Sequence, residues 1–356
     1  MAMTRQDRRR RVTGRMLRFC AAVLLVAGCT PKWSLDVESP AEPVRWVDQD
    51  NATRARQVST IKGFKETSTT VPDILRRIAF GARKDENRIG RPVAAAVGRD
   101  GRMAVADAGC SCVHLYVPAE QTYRRLRAAG GGVMQTPVGV AFDGESRLFV
   151  SDSSRGAIEA FDRSGEHLFS IKQAGADVLR RPTGLTYSPA GKSLYAVDTL
   201  ANRVYAFDGS GALLRSFGGP GEKNGQFNYP THIAAGPDGN VYVIDALNFR
   251  EQTFDASGAF LSAFGHHGNG SGDFAMPKGI AVDASGVIYI VDTLFDNIQL
   301  FSRTGEFLFT IGRRGSGQGE FSLPSGLFLG QDGALYVCDT YNQRIQVIRL
   351  RGDRDE

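Results

Sequence analysis

The sequence predicts an all-β fold, a six-bladed β-propeller, and three observations carry that prediction. A landmark proline returns as Pro92, Pro137, Pro182, Pro230, Pro277 and Pro324, at intervals of 45, 45, 48, 47 and 47 residues, and a period of this length is that of a propeller blade. After each proline come two residues, a short apolar run, a Gly-containing turn, a second apolar run ending in Asp, then a third strand and usually a fourth. The sixth unit stops at Leu350 after its third strand, with no match to Gly305-Glu306-Phe307-Leu308-Phe309. An open edge would remain there unless an earlier segment filled it.

The fifth unit is the clearest. Residues 279–282 form the innermost strand, 288–291 the second, 298–301 the third and 307–311 the outermost, with turns at Ser285-Gly286 and Thr304-Gly305; β-branched and aromatic residues dominate these runs. The fourth unit repeats the scheme over 233–234, 241–244, 252–254 and 260–264. Val58 to Phe64 is the segment predicted to complete the sixth blade and close the ring, with Val44 to Val47 as its competitor. Pro72 to Phe80 reads as a short helix capped by Thr70 and stopped by Gly81.

Charge separates the N-terminus from the rest. The chain has 43 basic and 38 acidic residues, but seven arginines and one aspartate lie in residues 1–28, leaving 36 and 37, a net of −1. A nucleic-acid partner is therefore not expected. The arginines precede an apolar run, Phe19 to Gly28, that is too short to span a bilayer. It ends Leu25-Val26-Ala27-Gly28-Cys29, which resembles a bacterial lipobox. That resemblance implies cleavage before Cys29, acylation of its sulfur, and a place in the cell envelope; Thr30, rather than Asp, implies the outer membrane if the cell is Gram-negative. An ordinary secretory signal cut near Ala27 is the competing reading. The expected organisation is a signal peptide at 1–28, a mobile tether at 29–54, a propeller at 55–350 with repeats near 91–136, 137–181, 182–229, 230–276, 277–323 and 324–350, and a tail at 351–356. The mature chain keeps Cys110, Cys112 and Cys338 beside Cys29. Ring closure would set Cys338 beside the other two, so a bridge from it to Cys110 or Cys112 stands against three unpaired thiols.

Phe227-Asn228-Tyr229-Pro230, Met276-Pro277-Lys278-Gly279-Ile280-Ala281-Val282-Asp283 and Leu335-Tyr336-Val337-Cys338-Asp339-Thr340-Tyr341-Asn342-Gln343-Arg344-Ile345-Gln346-Val347 resemble NHL repeats. The whole is similar to bacterial six-bladed NHL-type propeller lipoproteins over residues 55–350. In the first unit Cys110 and Cys112 stand where the repeat usually has Asn and Arg.

Asp107, Asp152, Asp198, Asp245, Asp292 and Asp339 end the second strand of every unit. A carboxylate repeated in each blade is best explained as an acceptor for backbone N–H groups at the turns, with Asn202, Asn297, Asn342, Arg203 and Arg344 supporting them. The residues after each proline begin the inner strands: Val93-Ala94, Val138-Gly139, Thr183-Gly184, Thr231-His232, Lys278-Gly279 and Ser325-Gly326. None is Asp, Asn or Glu, as a hard-cation site of the paraoxonase-like lactonase type needs. Only His232 is placed for a zinc site of the amidating-lyase type, since His114 and His167 fall in outer strands and His266-His267 in a loop. No metal or other cofactor is expected. His232 replaces the Gly of four equivalent positions, and with Lys278, Thr183, Thr231 and Ser325 it forms the candidate ligand-binding mouth. Phe227, Phe274 and Phe321, spaced by 47, read as plugs between blades. The leading reading is a lipid-anchored, non-catalytic propeller that binds an envelope protein, peptide or glycan. The alternative is an extracytoplasmic lyase or hydrolase acting around His232.

Overall fold

A computed structural model describes residues 31–47, 53–67, 87–129 and 132–350. The segments expected to be a signal peptide and a short helix at 72–80, together with Cys29 and the tail, lie outside the described residues. Two compact units are formed. Of the smaller, Met1–Trp33 with Glu66–Glu86, only 31–33 and 66–67 are described; there Thr67 donates its backbone N–H and its hydroxyl to the Lys32 carbonyl.

The larger unit, Ser34–Lys65 with Asn87–Glu356, is the propeller. Blades 1 to 5 are four-stranded antiparallel sheets with the strands in chain order. Blade 1 comprises Pro92–Val97, Met103–Asp107, Cys112–Val117 and Thr122–Leu126. Blade 4 comprises Pro230–Ala235, Val241–Asp245, Arg250–Phe254 and Phe260–Phe264. In blades 1 to 5 the landmark proline is the first residue of the innermost strand and pairs with the Asp that ends the second, as Pro92 with Asp107 and Pro277 with Asp292. The disc therefore has a proline end and an opposite, turn end.

Blade 6 contains Leu327–Leu329, Ala334–Asp339 and Arg344–Leu350. Its open edge is completed by Thr53–Glu66, antiparallel to Arg344–Leu350, in register from Ala55↔Leu350 to Ile61↔Ile345. This N-terminal strand closes the ring. The 29–54 segment, predicted as a tether, departs from that expectation: Trp33–Glu38 and Arg45–Val47 are strands that both pair with Thr53–Glu66, giving a six-stranded sheet. Trp46 packs against the blade 5–6 core and, with Val44, would crowd a Cβ on Gly319. Burial of these apolar residues is the gain a free tether would forgo.

Apolar clusters lie between successive blades, as where Ala104, Val113 and Leu115 of blade 1 meet Val140, Leu148 and Val150 of blade 2. The residue three before each proline seals the seam: Ile89, Met134, Leu179, Phe227, Phe274 and Phe321, all at most 3 % exposed. The three phenylalanines sit on Gly-rich loops, each in a parallel bridge with the loop's other limb. Gly265 shows why the loop needs glycine, since its φ is +99° and a Cβ would stand 2.5 Å from the Phe274 ring.

Candidate functional site

The six aspartates accept backbone hydrogen bonds from the residues before the landmark prolines. Asp107 accepts from Gly90, Arg91 and Gly109 at 2.6, 2.8 and 2.7 Å. Asp152 accepts from Gln135 and Thr136, Asp198 from Arg180 and Arg181, Asp245 from Asn228, Asp292 from Ala275 and Met276, and Asp339 from Ser322. Burial alone would raise the Asp107 carboxyl, but the hydrogen bonds from His114 and from the Gly90 and Arg91 amides prevail and hold it down at about 2.

In blades 4 and 6 the side chains three, five and seven residues beyond this Asp clamp the preceding Gly-rich loop. Arg250 binds Asp245 at 2.8 Å and the carbonyls of Lys223 and Gln226; Gln252 binds Asp245, the Gln226 carbonyl and the Gly225 amide. Asn248 reaches Asp245 and the Gly221 carbonyl. Asn342, Arg344 and Gln346 repeat the pattern around Asp339. Asn202 instead accepts from the Tyr229 amide. Asn297 departs from the expected turn-supporting role, because its Oδ1 is buried without a hydrogen-bond partner.

The hydroxyls following the aspartates latch blades 2, 3, 5 and 6 to the next blade's proline. Ser153, Thr199, Thr293 and Thr340 donate to the carbonyls of Pro182, Pro230, Pro324 and Pro92 at 2.7 to 2.8 Å. The last of these joins blade 6 to blade 1. Thr183 belongs to this system as well, its hydroxyl lying 2.8 Å from that of Thr199 and donating to the Thr231 carbonyl at 2.9 Å. Ser325 is buried, its carbonyl accepting from the Gly279 amide.

At the third position of the inner strands the backbones of neighbouring blades come close. A Cβ on Gly184 would stand 2.7 Å from His232 Cα, and one on Gly279 would stand 2.5 Å from the Ser325 carbonyl. The glycines His232 replaces are thus there for close approach. From this ring a central cavity of about 270 Å³ runs to the turn end, walled by small and branched apolar side chains. Arg99, Asp143, Tyr187 and His232 are its titratable lining, and Asp143 is occupied by Arg147 at 2.7 Å. Of the five candidate mouth residues only His232 lines the cavity; Lys278, Thr183, Thr231 and Ser325 sit nearer the proline end. His232 Nδ1 and Thr231 Oγ1 are buried without partners. Burial, then the nearby Lys278 charge, drives the His232 imidazole down to about 3, and burial lowers Lys278 also. His232 is therefore a neutral imidazole at pH 7.

Around the proline end runs a feature the sequence reading does not anticipate. The second residue after the Asp is an exposed apolar side chain in four consecutive blades: Leu200 at 49 %, Leu247 at 52 %, Leu294 at 56 % and Tyr341 at 58 %. Blades 1 and 2 have Gly109 and Ser154 there. Arg91 lies over the Tyr341 ring at 5.5 Å, and Arg181 binds the Tyr229 hydroxyl at 2.7 Å; both arginines are exposed. The repeat of Asp-x-Leu at 198–200, 245–247 and 292–294 is the signal that would have found it.

Blade 1 departs from its neighbours. Cys110 is bonded to Cys112, with Cα atoms 5.2 Å apart, and Cys338 is a buried free thiol. Neither sequence alternative for the cysteines holds. The two partners flank Ser111, whose φ of +48° continues a left-handed turn found four residues after the Asp in every blade, and this folds their Cβ atoms together. His114 lies beside the pair, with Nε2 at 3.9 and 3.8 Å from the two sulfurs and 3.1 Å from Asp107 Oδ2.

A family model described as a 6-bladed beta-propeller matches residues 284–352. No curated protein matches the chain in sequence. Similar solved structures include a streptogramin B lyase at 12 % identity, covering 90 % of this chain and 98 % of that one with a TM-score of 0.57. A catalytically inactive virginiamycin B lyase from Staphylococcus aureus with quinupristin matches at 14 % identity over 75 % and 97 %, with a TM-score of 0.56. A gluconolactonase from Xanthomonas campestris matches at 17 % over 92 % and 99 %, with a TM-score of 0.61. At these identities the likeness is one of fold. The chain is a six-bladed β-propeller.

Proposed function

We propose that this chain is a binding propeller, anchored to a bacterial cell envelope through a lipidated Cys29, that captures a protein or peptide partner on its proline-end face. The observation that carries the reading is the exposed crescent of Leu200, Leu247, Leu294 and Tyr341 beside Arg91 and Arg181. Large apolar side chains repeated at one height around a disc, rimmed by arginine, have the composition of a protein-binding surface. Thr183, one of the polar groups proposed for the mouth, is taken up in blade-to-blade hydrogen bonds, which disfavours a catalytic set there.

The second reading is catalysis around His232, and the observation in its favour is the unpartnered Nδ1 of a neutral imidazole in the channel. One experiment separates the two. Wild type, a Leu247→Asp/Leu294→Asp variant and His232→Ala are used to capture partners from cross-linked envelope fractions, and bound metal is measured on each. The binding reading expects a partner retained by wild type and His232→Ala and lost from the leucine variant. A turnover activity lost in His232→Ala alone would sink it. Palmitate labelling of wild type and not of Cys29→Ser is the expected result for the anchor.

A further inference from the structure

The side chains that clamp a loop in blades 4 and 6 have been exchanged, position for position, in blade 1. Counting three, five and seven from the Asp gives Asn248, Arg250, Gln252 in blade 4 and Asn342, Arg344, Gln346 in blade 6, but Cys110, Cys112, His114 in blade 1. Three hydrogen-bonding groups are replaced by three soft or borderline metal ligands. We propose that Cys110, Cys112 and His114 form a binding site for one thiophilic d¹⁰ cation, zinc(II) or copper(I), which the Cys110–Cys112 disulfide closes and its reduction opens.

The geometry argues for this. With metal–sulfur and metal–nitrogen bonds of about 2.3 and 2.1 Å, the sulfur-to-nitrogen separation is about 3.6 Å at a tetrahedral centre and about 3.8 Å at a trigonal one. Nε2 of His114 lies 3.9 and 3.8 Å from the two sulfurs, so the imidazole is already at ligand distance from both. Only the sulfurs must part, from bonded contact to about 3.8 Å. His114 is also oriented as metal-bound histidines are: Nδ1 is paired with the Tyr123 hydroxyl at 2.8 Å, which directs Nε2 at the sulfurs. Phe64 of the ring-closing strand stacks on both rings, with centroids 5.3 Å from His114 and 4.5 Å from Tyr123. Cys112 and His114 are buried while Cys110 is half-buried, so a cation enters past Cys110. Asp107 Oδ2, 3.1 Å from Nε2, is the nearest further oxygen for a fourth position. Two thiolates and an imidazole select zinc or copper(I) over the hard cations.

Opening balances as thiol–disulfide exchange. Two external thiols reduce the Cys110–Cys112 bond, giving two protein thiols and one external disulfide; the cation then displaces the two thiol protons, and the proton that His114 Nε2 holds towards Asp107 is replaced by one on Nδ1, where the Tyr123 hydroxyl turns to accept it. In the reverse exchange an external disulfide takes the two electrons: the Cys110–Cys112 bond re-forms, two external thiols leave, and the cation is released.

The test uses the full chain in detergent, oxidised or reduced with a phosphine, titrated separately with zinc(II) and copper(I) against chromophoric chelators. The control is Cys110→Asn/Cys112→Arg/His114→Gln, which restores the residues of blades 4 and 6 and leaves Cys20, Cys29 and Cys338 in place; far-UV circular dichroism and a melting curve check that it folds. The expected result is one equivalent of one of the two metals bound by reduced wild type beyond the control, at least tenfold weaker uptake by the oxidised form, and loss in His114→Gln. Equal uptake by reduced wild type and the folded control, or equal uptake by oxidised and reduced wild type, would overturn it. Should the triple variant not fold, Cys110→Ser with Cys112 intact takes its place as the control, and the same two results overturn the proposal.

Discussion

Blades 1 and 4 put one backbone plan to different uses. Both end the second strand in a buried Asp that pairs with the landmark proline, and both turn through a left-handed residue, Ser111 or Phe249, four positions later. In blade 4 the side chains beyond the turn reach the 218–228 loop and hold its carbonyls. In blade 1 they turn on one another as a disulfide beside an imidazole. A repeat fixes where a side chain points, because strand and turn geometry fix it; it does not fix the chemistry placed there. The blades that follow the repeat hold the disc, and the positions that leave it are where function is to be sought.

The largest effect is expected from Arg344→Ala, which removes the cation paired with the buried Asp339 and a donor from the Gly317 and Glu320 carbonyls; chemical denaturation should read a loss of about 3–5 kcal/mol. A loss below about 1 kcal/mol would mean that the clamp contributes little. Thr340→Val should cost about 1–3 kcal/mol, since the Pro92 carbonyl loses its buried donor at the seam that closes the ring. Blades 1 and 4 carry Ala108 and Ala246 at the matching position, so Ala246→Thr offers the converse: a new latch to Pro277 and a small gain in melting temperature. The Cys110–Cys112 disulfide joins residues only two apart in the chain, so reducing it should lower stability by about 1–2 kcal/mol, well below the Arg344 effect.

The smallest effect concerns pH. The His232 imidazole titrates at about 3 in the fold against 6.5 when free, so between those values the unfolded chain binds the extra proton and stability rises with pH. His232→Gln should flatten that slope. Asp107, at about 2 in the fold against 3.8, adds a second dependence: its contribution is complete above about pH 4 and is lost as the pH falls towards 2. A slope between pH 3 and 6.5 that is unchanged in His232→Gln would show that the imidazole is hydrated and ordinary.

Much of the disc was legible in the sequence because propeller strands obey short-range rules. Period, alternation and turn residues place the blade 5 strands within two residues of where they lie, and the missing outer strand of the sixth unit points to the 58–64 segment. Val44 to Val47 is legible as a strand, though it pairs with the closing segment instead of replacing it, whereas Trp33–Glu38 is not legible, because a strand at the rim of a sheet has little alternation to betray it. The mouth is less available than its sequence suggests. That Thr183 faces the channel entrance follows from register; that its hydroxyl bonds Thr199 and the Thr231 carbonyl depends on the distance between blades, which no single repeat encodes. The crescent escapes a residue-by-residue reading for a simpler reason: an exposed leucine is unremarked singly, and only its recurrence after the Asp in successive blades makes it a surface. His114 reads from the sequence as an outer-strand residue, though the seventh position after Asp107 is that of Gln252 and Gln346.

The most direct test of the binding account is site-specific photo-cross-linking in cells, with a benzophenone side chain placed at Leu247 on the proline-end crescent or at Leu261 on the outer strand of the same blade, both about half exposed. The account predicts a discrete protein adduct from position 247 and none from 261. Equal adducts from both positions, or none from either while the protein remains folded, would contradict it.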